Sequence, residues 1–487
     1  MLNIYSSLLK IFGGIRMFSE KKFFQNQLSC RVSIDCIVDK VKNYRRHFRS
    51  HRFDNTTTAI NYVLGLIKCP KGEANLERME EEIDKSEYRA YQQFISNSNW
   101  DCQGLQDALA KDASDILAAR KKKNGLPTGY IIDESAHLKK GEMSVGVSRQ
   151  YAGVAGKVDN CQIGVYTSLV NDKYATIINQ RLFLPEKWTN DTERCNDAGI
   201  PKDFQTFKTK PELAIDMLKQ DIARGVKFDW IGGDGLYGHS YQMCKEIDEL
   251  SLFFVMDVHK DEKVFLQEPS FLIPEKKQGP GRTPTKTKAD KQGIRLDKLC
   301  QQLSSQDWKI EQIRDSTKGK INLYVYKAEV WSWDTVETSA RKRTLIITKA
   351  ADKTSKIKYS FSNGGINEYT HQQYGYFVAQ RYWVERAFDN AKNELGMSDY
   401  QVRKWKSWHH HHSLVLLTSL FIMKQLIDIH PEVPLMSFRD TRILIILQVF
   451  GSTKEVQLRL EQMAQRHRKR QLDIDYWYKK QRTVQHT

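Results

Sequence analysis

One stretch near residue 385 places a base, an acid and a base at a fixed spacing. Arg381, Glu385 and Lys392 stand at positions i, i+4 and i+11. At about 100° per residue, a helix would bring the three side chains within about 40° of one another. A carboxylate bracketed by two cations suits a polyanion, and a divalent metal can neutralise the acid between them. The pattern therefore predicts phosphate chemistry on a helix.

The charge balance favours the same kind of partner. The 487 residues include 76 Lys and Arg against 59 Asp and Glu, which leaves a formal net charge of +17. Such an excess is typical of proteins that bind nucleic acid or an anionic membrane surface. No segment has the roughly 20 uninterrupted apolar residues of a membrane span. The best candidate, Ser413 to Ile427, is short and follows four histidines, so we expect a buried helix and no membrane partner.

Two features of the sequence indicate in which cellular compartment the protein resides. Residues 1–17 mix apolar residues with Lys10 and Arg16 but contain no convincing small-residue cleavage site, so we expect no signal peptide. The eight cysteines form neither a Cys-x-x-Cys pair nor a zinc-binding spacing. They fit reduced thiols in a cytosolic protein.

The hydrophobic periodicity changes along the chain. It is helical from about residue 20 to 120, is interrupted by charge, glycine and proline at residues 121–127, and then becomes that of strands. The next elements are predicted in the order β-β-β-α-β-α-β, at residues 129–133, 161–170, 174–184, 211–224, 228–231, 241–250 and 252–258. After a basic, turn-rich linker, further strands are predicted at residues 308–314, 321–333, 343–348 and 356–361. Helices follow at residues 413–427, 441–449 and from 452.

This order predicts an α/β fold with a ribonuclease H-like catalytic domain, a β-rich insertion before Glu385, and helical N-terminal and C-terminal regions. In that layout the first and fourth strands are neighbours, so Asp133 and Asp234 would end adjacent parallel strands at one edge of the sheet. The expected domains are a helical DNA-binding domain at residues 20–122, the first part of the core at 128–260, the linker with the insertion at 261–365, the catalytic helix with the end of the core at 366–430, and a basic helical C-terminal region at 431–487.

Asp133, Asp234 and Glu385 are the candidate catalytic and metal-ligating residues. Three carboxylates brought together without a metal would repel one another, whereas two divalent ions about 4 Å apart would make the cluster a phosphoryl-transfer site. Mg²⁺ is the oxygen-seeking choice, with Mn²⁺ as the alternative. Three other acids near these elements remain as rivals, namely Asp389, Asp229 and Asp257.

Three short segments carry a family resemblance. They are Tyr130-Ile-Ile-Asp133-Glu-Ser, Gly232-Gly-Asp234-Gly-Leu-Tyr237-Gly, and Arg381-x3-Glu385-x6-Lys392 with the trailing Glu394-Leu-Gly396. With them, the chain resembles bacterial insertion-sequence transposases of the DDE superfamily, in the branch with a β-rich insertion before the glutamate. The likeness covers about residues 45–430. That branch usually has a tyrosine three residues before the arginine, where this chain has Val378.

The resemblance implies a DNA transposase that cleaves the ends of an insertion sequence and joins the freed 3′ ends to target DNA by two-metal phosphoryl transfer. Asp133, Asp234 and Glu385 would hold the metals. Arg381 and Lys392 would contact the phosphates beside the scissile bond. Joining two ends implies a homodimer on double-stranded DNA, in the cytoplasm at the bacterial nucleoid.

Other basic residues are candidates for DNA binding. Arg45, Arg46 and Arg49 lie in the N-terminal helical region, which we expect to recognise the terminal repeats. Arg282 lies in Gly279-Pro-Gly-Arg-Thr-Pro284, which is similar to extended segments that enter AT-rich minor grooves. A flexible linker is the alternative for that segment.

Several features have competing interpretations. His409 to His412 would point in four directions on a helix, so we expect no shared metal site there. Trp331 or Trp333 could stack on a flipped base, or could belong to the core. Two other functions also stay open, a metal-dependent DNA endonuclease that does not transpose and a catalytically silent DNA-binding protein. Strand-transfer products would exclude the first, and the intact acids argue against the second.

Overall fold

The protein contains both helices and strands in a computed structural model that describes residues 33–50, 52–275, 284–335, 337–351, 356–429 and 435–484. The protein is of the α/β class and contains a large mixed sheet. It divides into two units. The first unit holds the residues up to Thr128, Asp133–Phe228 and the residues from Tyr382 onward, and the second holds Gly129–Ile132 and Asp229–Arg381.

The first unit opens with helices packed through their apolar faces. They are α1 (Ile34–Lys42), α2 (Arg45–Phe48), α3 (Thr56–Lys68), α4 (Leu76–Glu82), α5 (Tyr88–Ser96) and α6 (Cys102–Asn124). The long helix α6 has a clear start and stop. The Asp101 carboxylate accepts the Gly104 N–H at its beginning, and Gly125 closes it with a φ of 71°. These are the capping preferences of a helix N-cap acid and a left-handed C-terminal glycine.

Antiparallel strands follow in the same unit. They are β1 (Gly129–Leu138), β2 (Ser148–Ala152), β3 (Lys157–Asn171) and β4 (Tyr174–Leu182). The first four residues of β1 belong to the second unit. The predicted hairpin is confirmed, since β3 pairs with β4 up to Asn171 opposite Tyr174. Short helices then lead to a longer one, as α7 (Glu186–Thr189), α8 (Thr192–Asp197) and α9 (Lys210–Ala223).

In this region one strand prediction was wrong and one strand was not predicted. β1 does not end at Asp133 but continues to Leu138, because Ala136 and His137 are also buried in the extended chain. The strand β2 was not predicted at all. It pairs only with β3 and exposes alternate side chains, so its residues carry no run of apolar positions.

The second unit contains most of the sheet. Its elements are β5 (Trp230–Gly233), α10 (Gly235–Gly238), α11 (Tyr241–Glu249), β6 (Phe254–Val258), β7 (Lys263–Phe265), β8 (Phe271–Leu272), β9 (Lys288–Ala289), β10 (Ile294–Arg295), α12 (Leu296–Gln302), β11 (Lys309–Ser316), β12 (Gly319–Ser332), β13 (Arg341–Ala350), β14 (Lys358–Ser362) and α13 (His371–Gln380). The strands follow the order β10-β7-β12-β13-β14-β6-β5, and the start of β1 pairs with β5. Both pairings of β5 are parallel. The strands expected in the insertion therefore extend the same sheet beyond β6.

The remaining helices belong to the first unit. They are α14 (Tyr382–Leu395), α15 (Trp405–Ile429), α16 (Phe438–Phe450) and α17 (Thr453–Val484). Among the described residues, only α15 is long and apolar enough to cross a membrane by length and composition. Its most apolar window is 72% buried inside the protein, as in the core helix of a globular domain.

Arg442 of α16 ties three elements of the first unit together. Its Nε donates to the Ile67 carbonyl at 2.8 Å, its Nη1 lies 3.2 Å from Glu394 of α14, and its Nη2 donates to the Cys69 carbonyl. Replacing Arg442 by Met should lower the free energy of unfolding by about 3–5 kcal/mol, because it removes the closer cation from the buried Glu394 carboxylate, which keeps only Arg439 at 3.8 Å, and leaves two main-chain carbonyls without their donor. Chemical denaturation measures this change. Lys424→Met, which breaks the exposed Lys424 to Asp428 pair, is the matched control and should cost less than about 1 kcal/mol.

Candidate active site

Two aspartates follow the paired residues of neighbouring parallel strands. The last registered pair of β1 and β5 is Ile132 with Gly233. Asp133 is the next residue of β1, and Asp234 is the first residue after β5. Parallel strands that lie side by side deliver the residues at their carboxyl ends to one edge. The sheet register therefore brings out these two carboxylates beside each other.

The turn after β5 holds Asp234 in place. Its Oδ1 accepts the Leu236 N–H at 2.9 Å, so Asp234 is the N-cap of α10. At the other end of α10, a Cβ on Gly238 would collide with the Asp257 carbonyl oxygen. The close approach allows only glycine at this position, and it fixes the backbone that carries Asp234.

Glu134 lies beside the two aspartates and was missed by sequence reasoning. One carboxylate oxygen from each of Asp133, Glu134 and Asp234 lies within 4.8 Å of the others, and all three side chains are partly buried. Among the described residues, no other group of three acids, histidines or cysteines meets this geometric condition. Glu134 also forms an ion pair with Lys210 of α9, with Nζ 2.9 Å from Oε1.

Neighbouring residues of a strand point to opposite faces of a sheet, which separates Asp133 from Glu134. His137, four residues after Asp133, points to the same face as Asp133. The His137 Nδ1 lies 2.9 Å from the hydroxyl of Ser398, three residues beyond α14. By this alternation Glu134 starts from the opposite face, where its Oε1 meets Lys210 of α9, while one of its carboxylate oxygens still lies within 4.8 Å of those of Asp133 and Asp234. Asp133 therefore faces the side on which α14 and its following segment pack.

Two lysine side chains connect α14 and the segment after it with β1 and the residue after that strand. The Lys392 Nζ donates to the Ala136 carbonyl at 3.0 Å. Just beyond the ends of both elements, the Lys139 Nζ donates to the Tyr400 carbonyl at 2.9 Å. Residue numbers therefore rise together along the strand and along the helix with its extension.

Glu385 lies on the exposed side of α14. Going back from Lys392 to Glu385 covers seven helical residues, or about 10 Å. Going back from Ala136 to Asp133 covers three strand residues, also about 10 Å. Measured along their own elements, Glu385 and Asp133 are therefore equally far from the Lys392 to Ala136 hydrogen bond, and we call this the same level. Glu385 does not belong to the group of oxygens within 4.8 Å that the described residues form.

Arg381 lies at the junction of α13 and α14, so the three residues of the base-acid-base pattern do not share one uninterrupted helix. Its backbone is nevertheless helical, with φ −56° and ψ −30°. Its Nε lies 3.3 Å from the Asp257 Oδ2 of β6, and both side chains are largely buried. The Ser360 hydroxyl donates to the other oxygen of Asp257 at 2.8 Å. The Arg381 cation is thus balanced by a protein carboxylate.

The three N-terminal arginines lie on or just after α2, and all are exposed. Arg45 forms a close ion pair with Asp54, with Nη2 2.6 Å from Oδ2, and Arg49 approaches the same oxygen at 3.7 Å. Hydrogen bonds from Thr56 and then Arg45 lower the pKa of Asp54 to about 2. Asp54 therefore offsets part of the positive charge of this patch. Arg282 and residues 1–17, for which we made predictions, lie outside the described residues.

Other candidates have ordinary partners. Trp333 donates its Nε1–H to the Glu337 carbonyl at 2.6 Å. Asp389, the rival for the third acid, faces Arg386 at 3.3 Å on the exposed side of α14. The four histidines lie on α15, and His409, His410 and His412 each place Nδ1 within 3.0 Å of a different main-chain carbonyl. The side chains of the four histidines therefore do not converge.

Two paired strands, their adjacent carboxylates and a flanking helix form an arrangement typical of nuclease sites. Comparison with known families supports this interpretation. A family model described as DDE superfamily endonuclease matches residues 45–320. This is more than half of the chain, so the chain belongs to the DDE superfamily of endonucleases. The matched segment contains Asp133 and Asp234, whereas Glu385 lies beyond it.

The chain is also similar to one curated protein whose name indicates a particular activity. The chain is 25% identical over 312 residues to a protein named "Probable transposase for insertion sequence element IS701" from Microchaete diplosiphon. The aligned region covers 63% of this chain and 67% of that relative. The resemblance to insertion-sequence transposases of the DDE superfamily is confirmed by these two similarities.

Proposed function

We propose that this protein is a DNA transposase that cleaves the ends of an insertion sequence and joins them to target DNA by two-metal phosphoryl transfer. One observation carries the proposal. The parallel register of β1 and β5 ends at Ile132 and Gly233, so Asp133 within β1 and Asp234 just after β5 follow the last registered pair side by side. The likeness to a protein named as a probable transposase supports the choice of DNA as substrate.

The donor set fits a hard divalent cation. The grouped side chains of Asp133, Glu134 and Asp234 are all carboxylates, and one oxygen from each lies within 4.8 Å of the others. Such a group repels itself unless a cation is present, and oxygen donors favour Mg²⁺, or Mn²⁺ in its place. When bound, two such ions would supply activation of a water or 3′ hydroxyl and stabilisation of the leaving oxygen.

Asp133, Asp234 and Glu385 are the proposed ligands. Asp133 shares the strand face of His137. Glu385 lies seven residues before Lys392, which reaches the strand at Ala136, three residues after Asp133. Glu134 is the rival third acid, but it points to the other face and its carboxylate is engaged by Lys210. We assign Glu134 the role of balancing the charge of Lys210, and Glu385 the role of binding the metal.

The remaining assignments follow from this role. The strand order is compatible with a ribonuclease H-like core at residues 128–260, completed by residues 366–430, and residues 261–365 are its β-rich insertion. The helices within residues 20–122 are proposed to bind the element ends, with Arg45, Arg46 and Arg49 against phosphates and Arg282 as a further contact. Residues 431–487 form the basic C-terminal region. Two ends must meet, so we propose a homodimer on DNA at the bacterial nucleoid.

The test is cleavage and joining of DNA that carries the sequences flanking the coding region, with Mg²⁺ or with EDTA, for the unmodified protein and Asp234→Asn. We expect nicks at the element ends and joined products only with Mg²⁺ and only for the unmodified protein. Cleavage without joined products would indicate a non-transposing endonuclease. Binding without cleavage under any metal would leave a catalytically silent DNA-binding protein.

A further inference from the structure

Lys392 is directed at the protein rather than at solvent. Its side chain is half-buried, and its Nζ donates to the main-chain carbonyl of Ala136 at 3.0 Å. Desolvation lowers its pKa, against the opposing effect of Asp389. Burying an ammonium group costs free energy unless a fixed acceptor receives it. The Ala136 carbonyl of β1 is that acceptor.

We infer that Lys392 is a positioning residue, which locks α14 against β1 and thereby sets the level of Glu385 beside Asp133. This rests on the proposed function, because it takes Glu385 and Asp133 to be ligands of the same metal site. It assigns Lys392 a role inside the protein, in place of the DNA phosphate contact that the sequence resemblance implies.

The contacts around Lys392 support a fixed register. One turn earlier on α14, the ring of Phe388 lies 5.3 Å from that of Tyr166 on β3. The Tyr166 hydroxyl in turn lies 2.8 Å from His137 Nε2 on β1. The helix therefore meets the strands at successive points. A slip of α14 by one turn, about 5.4 Å, would break these contacts and carry Glu385 away from the level of Asp133.

The chain provides a matched comparison in Lys139. Like Lys392, it is a partly buried lysine that donates to a main-chain carbonyl across the same interface, here that of Tyr400 at 2.9 Å. Tyr400 lies beyond the end of α14, on the side away from Glu385. Replacing Lys139 should therefore cost a similar stability without moving Glu385.

The test measures Mn²⁺ binding without DNA, by electron paramagnetic resonance of the free ion, and DNA binding in EDTA at several salt concentrations. Lys392→Met should weaken Mn²⁺ binding about 10-fold to 100-fold, as for outer-shell residues that orient a ligand. Its DNA affinity and salt slope should match those of the unmodified protein. Lys139→Met should leave Mn²⁺ binding unchanged. Lys392→Arg retains a donor and should keep the Mn²⁺ affinity near that of the unmodified protein. This variant tests the inference if Lys392→Met does not fold.

Two results would overturn the inference. A salt slope smaller by about 0.9 in Lys392→Met, with unchanged Mn²⁺ binding, would make Lys392 a phosphate contact. Equal losses of Mn²⁺ binding in Lys392→Met and Lys139→Met would reduce its role to general stability. If the unmodified protein itself binds no Mn²⁺, the proposed function fails, which is a different outcome from either.

Discussion

Glu385→Gln should abolish metal-dependent DNA cleavage, whereas Glu134→Gln should reduce it by only about tenfold. The two substitutions are chemically identical, and only Glu134 has a carboxylate oxygen within 4.8 Å of those of Asp133 and Asp234. The difference comes from the faces of β1. Asp133 shares the face of His137, on the side of α14, while Glu134 turns toward Lys210 of α9.

The expected sizes follow from the two roles. Removing a carboxylate that holds the metal should cost well over the roughly 10-fold to 100-fold that outer-shell partners of metal ligands contribute. Glu134 has such an outer role, because its charge is already balanced by Lys210 at 2.9 Å. Replacing it by the neutral isostere leaves the lysine uncompensated but leaves the ligands of the metal in place.

Initial rates of cleavage in Mg²⁺, on DNA carrying the element ends, measure both effects. Circular dichroism and DNA binding in EDTA show that each variant is folded. If Glu134→Gln is as inactive as Glu385→Gln, the strand-face argument is wrong and Glu134 is itself a ligand. If Glu385→Gln cuts at the normal rate, the third ligand lies elsewhere, and Asp389 becomes the next residue to test.

Much of the sheet could be predicted because buried strands leave a local signal. The strand expected at residues 174–184 is observed as Tyr174–Leu182, and the one expected at 343–348 is observed as Arg341–Ala350. Their apolar residues are contiguous or alternate, so a window of the sequence suffices. The edge strand β2 has no such signal, because its side chains alternate between exposed and half-buried positions.

The finer features of the site depend on pairs far apart in the chain. Glu134 and Lys210 are separated by 76 positions, and Lys392 and Ala136 by 256. Composition and periodicity report the face of each element but not its partner. For this reason the sequence alone could nominate Asp133, Asp234 and Glu385 by type and spacing. It could not show that Glu134 lies beside them or that Lys392 reaches a strand carbonyl.

The protein should lose stability steeply below about pH 6.5. Four of the buried histidines of the first unit carry this prediction, namely His137, His410, His411 and His412. Desolvation lowers the pKa of His410 and of His411 to about 3, and that of His137 and His412 well below the ordinary value of 6.5. Nearby cations act in the same direction, with Lys139 facing His411 and Lys406 facing His410.

The sign follows from proton uptake. Unfolded histidines bind protons as the pH falls through about 6.5, while the folded ones stay neutral, so acid favours the unfolded chain. At pH 5 this amounts to about 2 kcal/mol for each buried histidine. Four such groups together match a large part of the roughly 5–15 kcal/mol by which proteins are stable. Stability is full above pH 6.5, and the loss continues down toward the folded pKa values, which are about 3 for His410 and His411.

Denaturant unfolding at pH 7.5, 6 and 5 measures this loss, and one variant isolates a single group. His410 donates Nδ1–H to the Ile95 carbonyl at 3.0 Å, and Asn can offer a similar donor without titrating. His410→Asn should be less stable at pH 7.5, because it loses the stack on Trp100, yet its stability should fall with pH less steeply, by about 1.4 kcal/mol per pH unit below 6. An unaltered slope in His410→Asn would mean that the folded protein protonates His410 as readily as the unfolded chain does, and burial would then not be the source of the acid sensitivity.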